Sequence, residues 1–300
     1  MFQKLKQKVK KYLESKLDDL FLNKIYNKVI INNSTQQVTL KLYYKELAKK
    51  GYKFNFEEVG FNVFSSTNED GILLYIFSII DFKSRKCVDL GCGSIKGSNT
   101  ANLVINHGFS ALLIDSDKKQ IKDLENFYKA LPFNIISMPI FCCEKITMEN
   151  INDLILNNGF NGEIDFLSID LDGIDFWVLK AIETIKPRVI LVEYQDALGP
   201  DRSLTIPYTS DFNFYDYEIN KHDYNYMGAS LSAFINLLKP KGYKLIGCNT
   251  GGWNAFFILN DLDNGFFREI HPSECFIYER NNYSIKERYP LIKDLPWVEV

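Results

Sequence analysis

From residue 69 onward the chain alternates short apolar runs with helical stretches, and most of the apolar runs stop at a carboxylate or a glycine. That alternation constrains the fold more than any other feature. Strands separated by helices form βαβ units, whose right-handed crossovers lay the strands parallel in one sheet with helices on both faces. The runs are 86–90, ending in Gly91-Cys92-Gly93-Ser94; 111–114, ending at Asp115; 134–140; 164–169, ending at Asp170; and 189–192, ending at Glu193. The spacing of apolar residues predicts helices over 71–80, 97–106, 117–129, 177–185 and 231–239, the last opened by Ser230. Strands at 244–246 and 255–258 should complete the sheet.

In a doubly wound sheet, ligands bind at the carboxyl ends of the strands, near the switch point. Asp115, Asp170 and Glu193 should therefore line one rim. Gly91 and Gly93 let the backbone pass close to a ligand there. The dinucleotide fingerprint would place a third glycine at position 96, which is Lys96; the next glycine is Gly97. Asp89, just before the turn, is also ill suited to a pyrophosphate, because it brings like charges together. The turn suits a cationic ligand. S-adenosylmethionine carries a sulfonium, an ammonium and ribose hydroxyls but no phosphate, and Asp115 can accept from both ribose hydroxyls.

Val88-Asp89-Leu90-Gly91-Cys92-Gly93 resembles the first motif of class I S-adenosylmethionine-dependent methyltransferases, and Leu113-Ile114-Asp115 resembles their acidic second-strand motif. Further segments resemble the FkbM-type branch: Asn68-Glu69-Asp70-Gly71, the stretch from Asp165 to Gly173 (DFLSIDLDG), Val192-Glu193-Tyr194, Tyr226 to Leu231 (YMGASL) and Asn254-Ala255-Phe256-Phe257. The departure is Ser94-Ile95-Lys96-Gly97, where many methyltransferases have a third glycine at the 95 position. The resemblance implies a Rossmann-like class I methyltransferase fold. Its sheet would be mostly parallel and seven-stranded with the last strand antiparallel, in a domain over 61–300 that follows an N-terminal helical extension over 1–60. It also implies S-adenosyl-L-methionine as cofactor. Asp89, Gly91, Cys92 and Gly93 would surround the methionine moiety, and Asp115 would bind the ribose. Cys143 and Glu144 would lie near the adenine, and Glu69 with Asp70 would close over the cofactor. A plain helix N-terminal charge is the other reading of Glu69 and Asp70.

A hydroxyl is a poor nucleophile toward a sulfonium methyl and needs a base or a metal. Asp170, Asp172 and Glu193 offer hard oxygen ligands of the kind that suit Mg2+, Mn2+ or Ca2+. Alternatively, Asp170 orients the cofactor or acceptor and Asp172 starts the next helix. His222 is the side chain best matched to a base by intrinsic pKa. Tyr226 and Tyr194 are hydroxyl-positioning groups or packing aromatics. The long loop 197–227 reads as a substrate loop. Its Tyr208, Phe212, Phe214, Tyr215 and Tyr217 either stack on a sugar or base or form a hydrophobic cluster beneath the loop. His107 reads as a helix C-terminal cap, and 261–300 carries no clear pattern.

The net charge of −3 over 300 residues argues against a dedicated nucleic-acid binder. Six cysteines without a C-x-x-C pair, beside three histidines, argue against a zinc site. No signal-peptide core is evident, and the longest apolar stretch, 71–80, is too short to span a bilayer, so a cytoplasmic location with reduced thiols is expected. Residues 2–29 place apolar side chains at helical spacing behind Lys4, Lys6, Lys8, Lys10 and Lys11. That segment reads as a peripheral membrane-surface helix, or as one packed on its own domain or on a second subunit of a homo-oligomer. A second helix is expected over 38–50. The family resemblance suggests O-methylation of a small-molecule acceptor, first a nucleotide-linked sugar for capsular or surface polysaccharide. The alternatives are another small-molecule acceptor, or a methyltransferase-like scaffold in a glycan-assembly complex.

Overall fold

The computed structural model describes residues 33–131, 137–221 and 225–300. The Lys-rich segment 2–29 and the proposed base His222 lie outside the described residues. Seven strands form one sheet in the order β3-β2-β1-β4-β5-β8-β7. They are β1 (Lys86–Leu90), β2 (Ser110–Asp115), β3 (Ile140–Cys143), β4 (Gly162–Ile169), β5 (Ile185–Glu193), β7 (Tyr243–Cys248) and β8 (Asn254–Leu259). The first five run parallel, and β8 is antiparallel to both β5 and β7. A separate two-stranded sheet pairs β6 (Leu204–Thr205) with β9 (Val298–Glu299).

Apart from the edge strand β3, the parallel strands are buried on both faces, as strands between helical layers must be. Val88, Leu90, Leu112, Leu167 and Ile190 point into one core. Cys87, Ala111, Leu113, Phe166 and Val189 point into the other. The helices that cover these faces are α1 (33–49), α2 (Phe56–Val59), α3 (Glu69–Ile80), α4 (Ala101–His107), α5 (Lys118–Ala130), α6 (Ile151–Asn157), α7 (Asp175–Ala181) and α8 (Leu231–Leu238). Ser230 caps α8, its hydroxyl accepting from the Ala233 amide. No helix of the described residues is long and apolar enough to cross a membrane.

Four elements differ from the sequence reading. The third strand is 140–143 rather than 134–140. It is the sheet's edge, Ile140 is 41% exposed, and its half-buried composition is a weaker marker than an apolar run. The helix after the glycine turn starts at Ala101 instead of 97, because Gly97 donates to the Phe64 carbonyl at 2.6 Å and Ser98 caps the Ala101 amide. α7 stops at Ala181, and β5 begins at Ile185, taking in Lys186, Pro187 and Arg188. His107 does not cap α4. Gly108, in the left-handed region at φ 69, does so, while the buried His107 ring meets Gln37 of α1 at 2.7 Å. Burial, then Lys41 and Arg85, push the His107 imidazole down to about 4. The segment without a pattern, 261–300, folds into α9 (Glu279–Tyr283), α10 (Tyr289–Ile292) and β9.

Arg188 ties the layers together. Its guanidinium sits 2.7 Å from Asp165 and donates to the Ile80 and Asp81 carbonyls at the end of α3. Asp165 also accepts from the Lys83 and Arg85 amides. The ion pair and these carbonyls compensate the buried charge through both terminal nitrogens, while Arg188 Nε has no partner among the described residues.

Candidate active site

The topological switch point lies between β1 and β4, and the two strand ends touch there. The Asp170 amide donates to the Leu90 carbonyl at 2.9 Å. A Cβ on Gly91, whose φ is 79, would stand 1.7 Å from the Asp170 carbonyl oxygen, so only glycine fits. Gly93, at φ 53, has the opposite surroundings: the nearest atom to its Cβ position is 3.9 Å away. The turn is thus closed against the protein at Gly91 and open to a ligand at Gly93.

β2 delivers Asp115 to the same rim. Its carboxylate accepts from the Gly93 amide at 2.9 Å and the Asp117 amide at 2.7 Å. Each carboxylate oxygen therefore has one fixed partner and further acceptor capacity toward the cavity. Asp117 caps α5 through the Lys119 and Gln120 amides, and Glu144 follows β3 with its amide on the Asp115 carbonyl.

These strand ends enclose a cavity of about 580 Å³, within the range of small-molecule sites. Gly91, Gly93, Asp115, Glu144, Asp170, Asp172 and Glu193 line it, together with Ser116, Asp117, Gln120, Lys145, Ile146, Leu171, Ile174, Phe212 and Tyr215. Six carboxylates therefore face one lysine.

Asp170, Asp172 and Glu193 bring ligand oxygens within 4.8 Å of one another. Asp172 holds a left-handed backbone at φ 52, costly for a residue with a side chain. Asp175 braces that turn by accepting from the Leu171 and Gly173 amides. Burial pushes Asp170 well above the carboxylate range, with Asp172 and Asp175 adding to it. Burial, then Asp170 and Asp172, push Glu193 up likewise, and Asp170 and Glu193 hydrogen-bond each other. Burial and Asp175 raise Asp172 to about 6. Such a cluster either shares protons or takes up a cation.

The other proposed site residues sit elsewhere. Asp89 is buried under the turn, where it accepts from Thr100 Oγ1 at 2.7 Å, and burial raises it to about 6 against the Thr100 and Ser168 hydrogen bonds. Cys92 is buried behind the turn, and Cys143 is exposed; neither borders the cavity. Glu69 is buried and takes four hydrogen bonds, from the Thr67 amide and hydroxyl and from the Asn249 and Asn254 side-chain amides. Asp70 accepts from the Val63, Phe64 and Ser65 amides. The Tyr226 hydroxyl donates to the Pro296 carbonyl, and its ring packs 4.9 Å from Trp297. Tyr194 donates to the Cys275 carbonyl at 3.3 Å.

Of the loop aromatics, Phe212 and Tyr215 reach the cavity wall. A Cβ on Gly173 would lie 2.3 Å from the Phe212 ring, so that ring seats on a glycine. Sequence reasoning missed Gln120, Lys145 and Ile174. Each stands within a few residues of a strand's carboxyl end, and that position is the signal that finds them.

The residues present fit S-adenosylmethionine. The lining is anionic, the turn is open at Gly93, and Asp115 can accept from a ribose.

A seven-stranded sheet with β8 inserted antiparallel, carrying an anionic cavity at the switch point, defines the class I methyltransferase fold. Residues 83–226, just under half of the chain, match the methyltransferase FkbM domain. Among solved structures it is similar to magnesium protoporphyrin IX methyltransferase from Synechocystis PCC 6803, at 11% identity and a TM-score of 0.40, covering 63% of this chain and 77% of that one. It is also similar to an O-methyltransferase from Bacillus cereus, at 12% identity and a TM-score of 0.39, covering 79% and 98%. Both likenesses are distant. No curated protein matches the chain.

Proposed function

We propose that this protein methylates a hydroxyl of a small-molecule acceptor, with a nucleotide-linked sugar of surface-polysaccharide assembly as the first candidate, and that Asp170, Asp172 and Glu193 hold a divalent cation such as Mg2+. The observation that carries this reading is the carboxylate cluster itself. Three acidic groups whose oxygens lie within 4.8 Å of one another border the cavity that holds the donor-binding turn. Oxygen-only donor sets of this kind suit hard cations.

S-adenosylmethionine supplies an electrophilic methyl group when bound. Asp115, Gly91 and Gly93 would hold it. The chain's own groups then bind and orient the acceptor. Phe212 and Tyr215 give aromatic faces for a sugar ring. Asp170 or Glu193, which border the cavity and hydrogen-bond each other, takes the hydroxyl proton. A cation held by the cluster would supply Lewis acidity toward that hydroxyl. It would also offset the repulsion between a sugar-nucleotide diphosphate and a wall of six carboxylates that, among the described residues, Lys145 alone opposes.

The test is mass spectrometry of products from a panel of nucleotide sugars, with Mg2+ and with chelator. A gain of one methyl that disappears with chelator supports the reading. Turnover that is unchanged in chelator removes the metal, and methylation at nitrogen only removes the hydroxyl acceptor.

A further inference from the structure

The loop that carries Phe212 and Tyr215 leaves the sheet after Glu193 and returns ahead of α8. Its two ends meet at one buried side chain from the C-terminal segment. Arg288 is 4% exposed. On the outgoing end, its Nη1 donates to Asp196 Oδ1 at 2.9 Å and its Nη2 to Gln195 Oε1 at 3.4 Å. On the returning end, its Nε donates to Asn225 Oδ1 at 2.8 Å. A planar guanidinium can span such a gap with fixed geometry, which a lysine cannot. Asn225 passes the constraint inward, its amide donating to the Ile219 carbonyl at 3.2 Å.

The rest of the C-terminal segment reinforces this closure. β9 pairs with β6 just inside the loop, the Val300 amide donates to the Ser203 carbonyl at 3.1 Å, and Tyr226 is held by the Pro296 carbonyl and the Trp297 ring. None of these groups borders the cavity. Their common effect is to fix the base of the loop whose middle forms the acceptor side of the wall.

We propose that Arg288 is a positioning residue for the acceptor: by tying Asp196 and Gln195 to Asn225, it holds loop residues 197–221 in the shape that presents Phe212 and Tyr215 to the cavity. The inference rests on the methyltransferase reading for what the loop binds, but not for how the loop is held. A tie at the loop's base acts on acceptor binding and leaves the donor turn, on β1 and β2, unaffected.

The test uses the full chain and the variants Arg288→Met and Asn225→Ala. Hydrogen exchange of 204–221 and the affinity for S-adenosylhomocysteine are measured for each. The expected result for Arg288→Met is exchange at least tenfold faster in 204–221, unchanged exchange in β1 and β4, and S-adenosylhomocysteine affinity within twofold of wild type. Asn225→Ala keeps the Arg288–Asp196 ion pair, so it avoids an unpaired buried charge. It is expected to speed loop exchange about threefold with the same donor affinity. On any acceptor that the wild-type chain turns over, Arg288→Met should raise KM at least tenfold and lower kcat less than threefold. Unchanged loop exchange in both variants overturns the proposal. So does faster exchange throughout the sheet together with lost donor binding in both, because that pattern marks a general structural role. A wild-type chain without affinity for S-adenosylhomocysteine sinks the methyltransferase reading, while the exchange pattern still decides the tie.

Discussion

Gly91 and Gly93 lie two residues apart in the same turn, yet alanine should affect them in opposite ways. At Gly91 the new methyl would stand 1.7 Å from the Asp170 carbonyl oxygen. Contacts under 3.0 Å are essentially never seen for a Cβ, so β1 and β4 would have to part by 3.0 − 1.7 = 1.3 Å at their carboxyl ends. That movement breaks the 2.9 Å bond from the Asp170 amide to Leu90, which costs about 1 kcal/mol. The left-handed backbone costs about 1–2 kcal/mol more for a residue with a side chain. Gly91→Ala should therefore lower unfolding stability by about 2–3 kcal/mol and displace Asp170 from the carboxylate cluster. At Gly93 the methyl meets nothing closer than 3.9 Å. Only the backbone cost applies, about 1–2 kcal/mol, and the methyl projects into the space proposed for the donor. Denaturant unfolding and calorimetric titration with S-adenosylmethionine, run on both variants, separate the two effects. Gly91→Ala is expected to lose more stability than Gly93→Ala, and Gly93→Ala to lower donor affinity at least tenfold. Equal stability losses, or a Gly93→Ala chain that binds the donor as wild type does, would refute it.

Other consequences follow from groups away from the turn. Arg188→Met leaves Asp165 buried without its ion-pair partner and should cost about 3–5 kcal/mol in denaturant unfolding; a loss under about 1 kcal/mol would contradict the buried-pair account. The His107 ring titrates near 6.5 when unfolded and near 4 when folded. Between those values the unfolded chain binds more protons, so stability is lost as pH falls from 6.5 toward 4 and is unaffected by this group above that window. The difference amounts to about 3 kcal/mol, and His107→Gln should remove that part of the slope in unfolding curves collected from pH 4 to 7. Gly173→Ala would push the Phe212 ring from its seat; the expected result is a raised acceptor KM with unchanged S-adenosylmethionine affinity, measured on the same preparation.

Much of the fold was legible because parallel strands buried on both faces are written as apolar runs, and β1, β2 and β4 were placed to within two residues. The rim was legible for the same reason: a strand's last residue fixes where its neighbour's carboxylate lies, so Asp115, Asp170 and Glu193 could be placed together before any coordinates. Arg188 shows where that logic stops. A buried arginine in β5 is paired with Asp165 on the neighbouring β4, so the apolar pattern excludes the residue that ties the layers together. β3 fails differently, because an edge strand has only a partly buried face to encode. Tyr226 and Glu69 sit in motifs that invite a chemical role, yet their partners, Pro296 and Asn249, are 70 and 180 residues away. The clamp at Arg288 was invisible because 261–300 has no periodicity of its own; its order comes from the segments it contacts.

The central claim, that the cavity at the ends of β1 and β2 is built for a cationic adenosyl donor held through Asp115, is tested most directly by calorimetric titration of the wild-type chain and Asp115→Ala with S-adenosylmethionine and, separately, with NAD. The account predicts one S-adenosylmethionine site in the wild type, affinity at least tenfold weaker in Asp115→Ala from the loss of hydrogen bonds to a charged group, and no heat with NAD. Equal S-adenosylmethionine affinity in the two chains, or tighter binding of NAD, would contradict it.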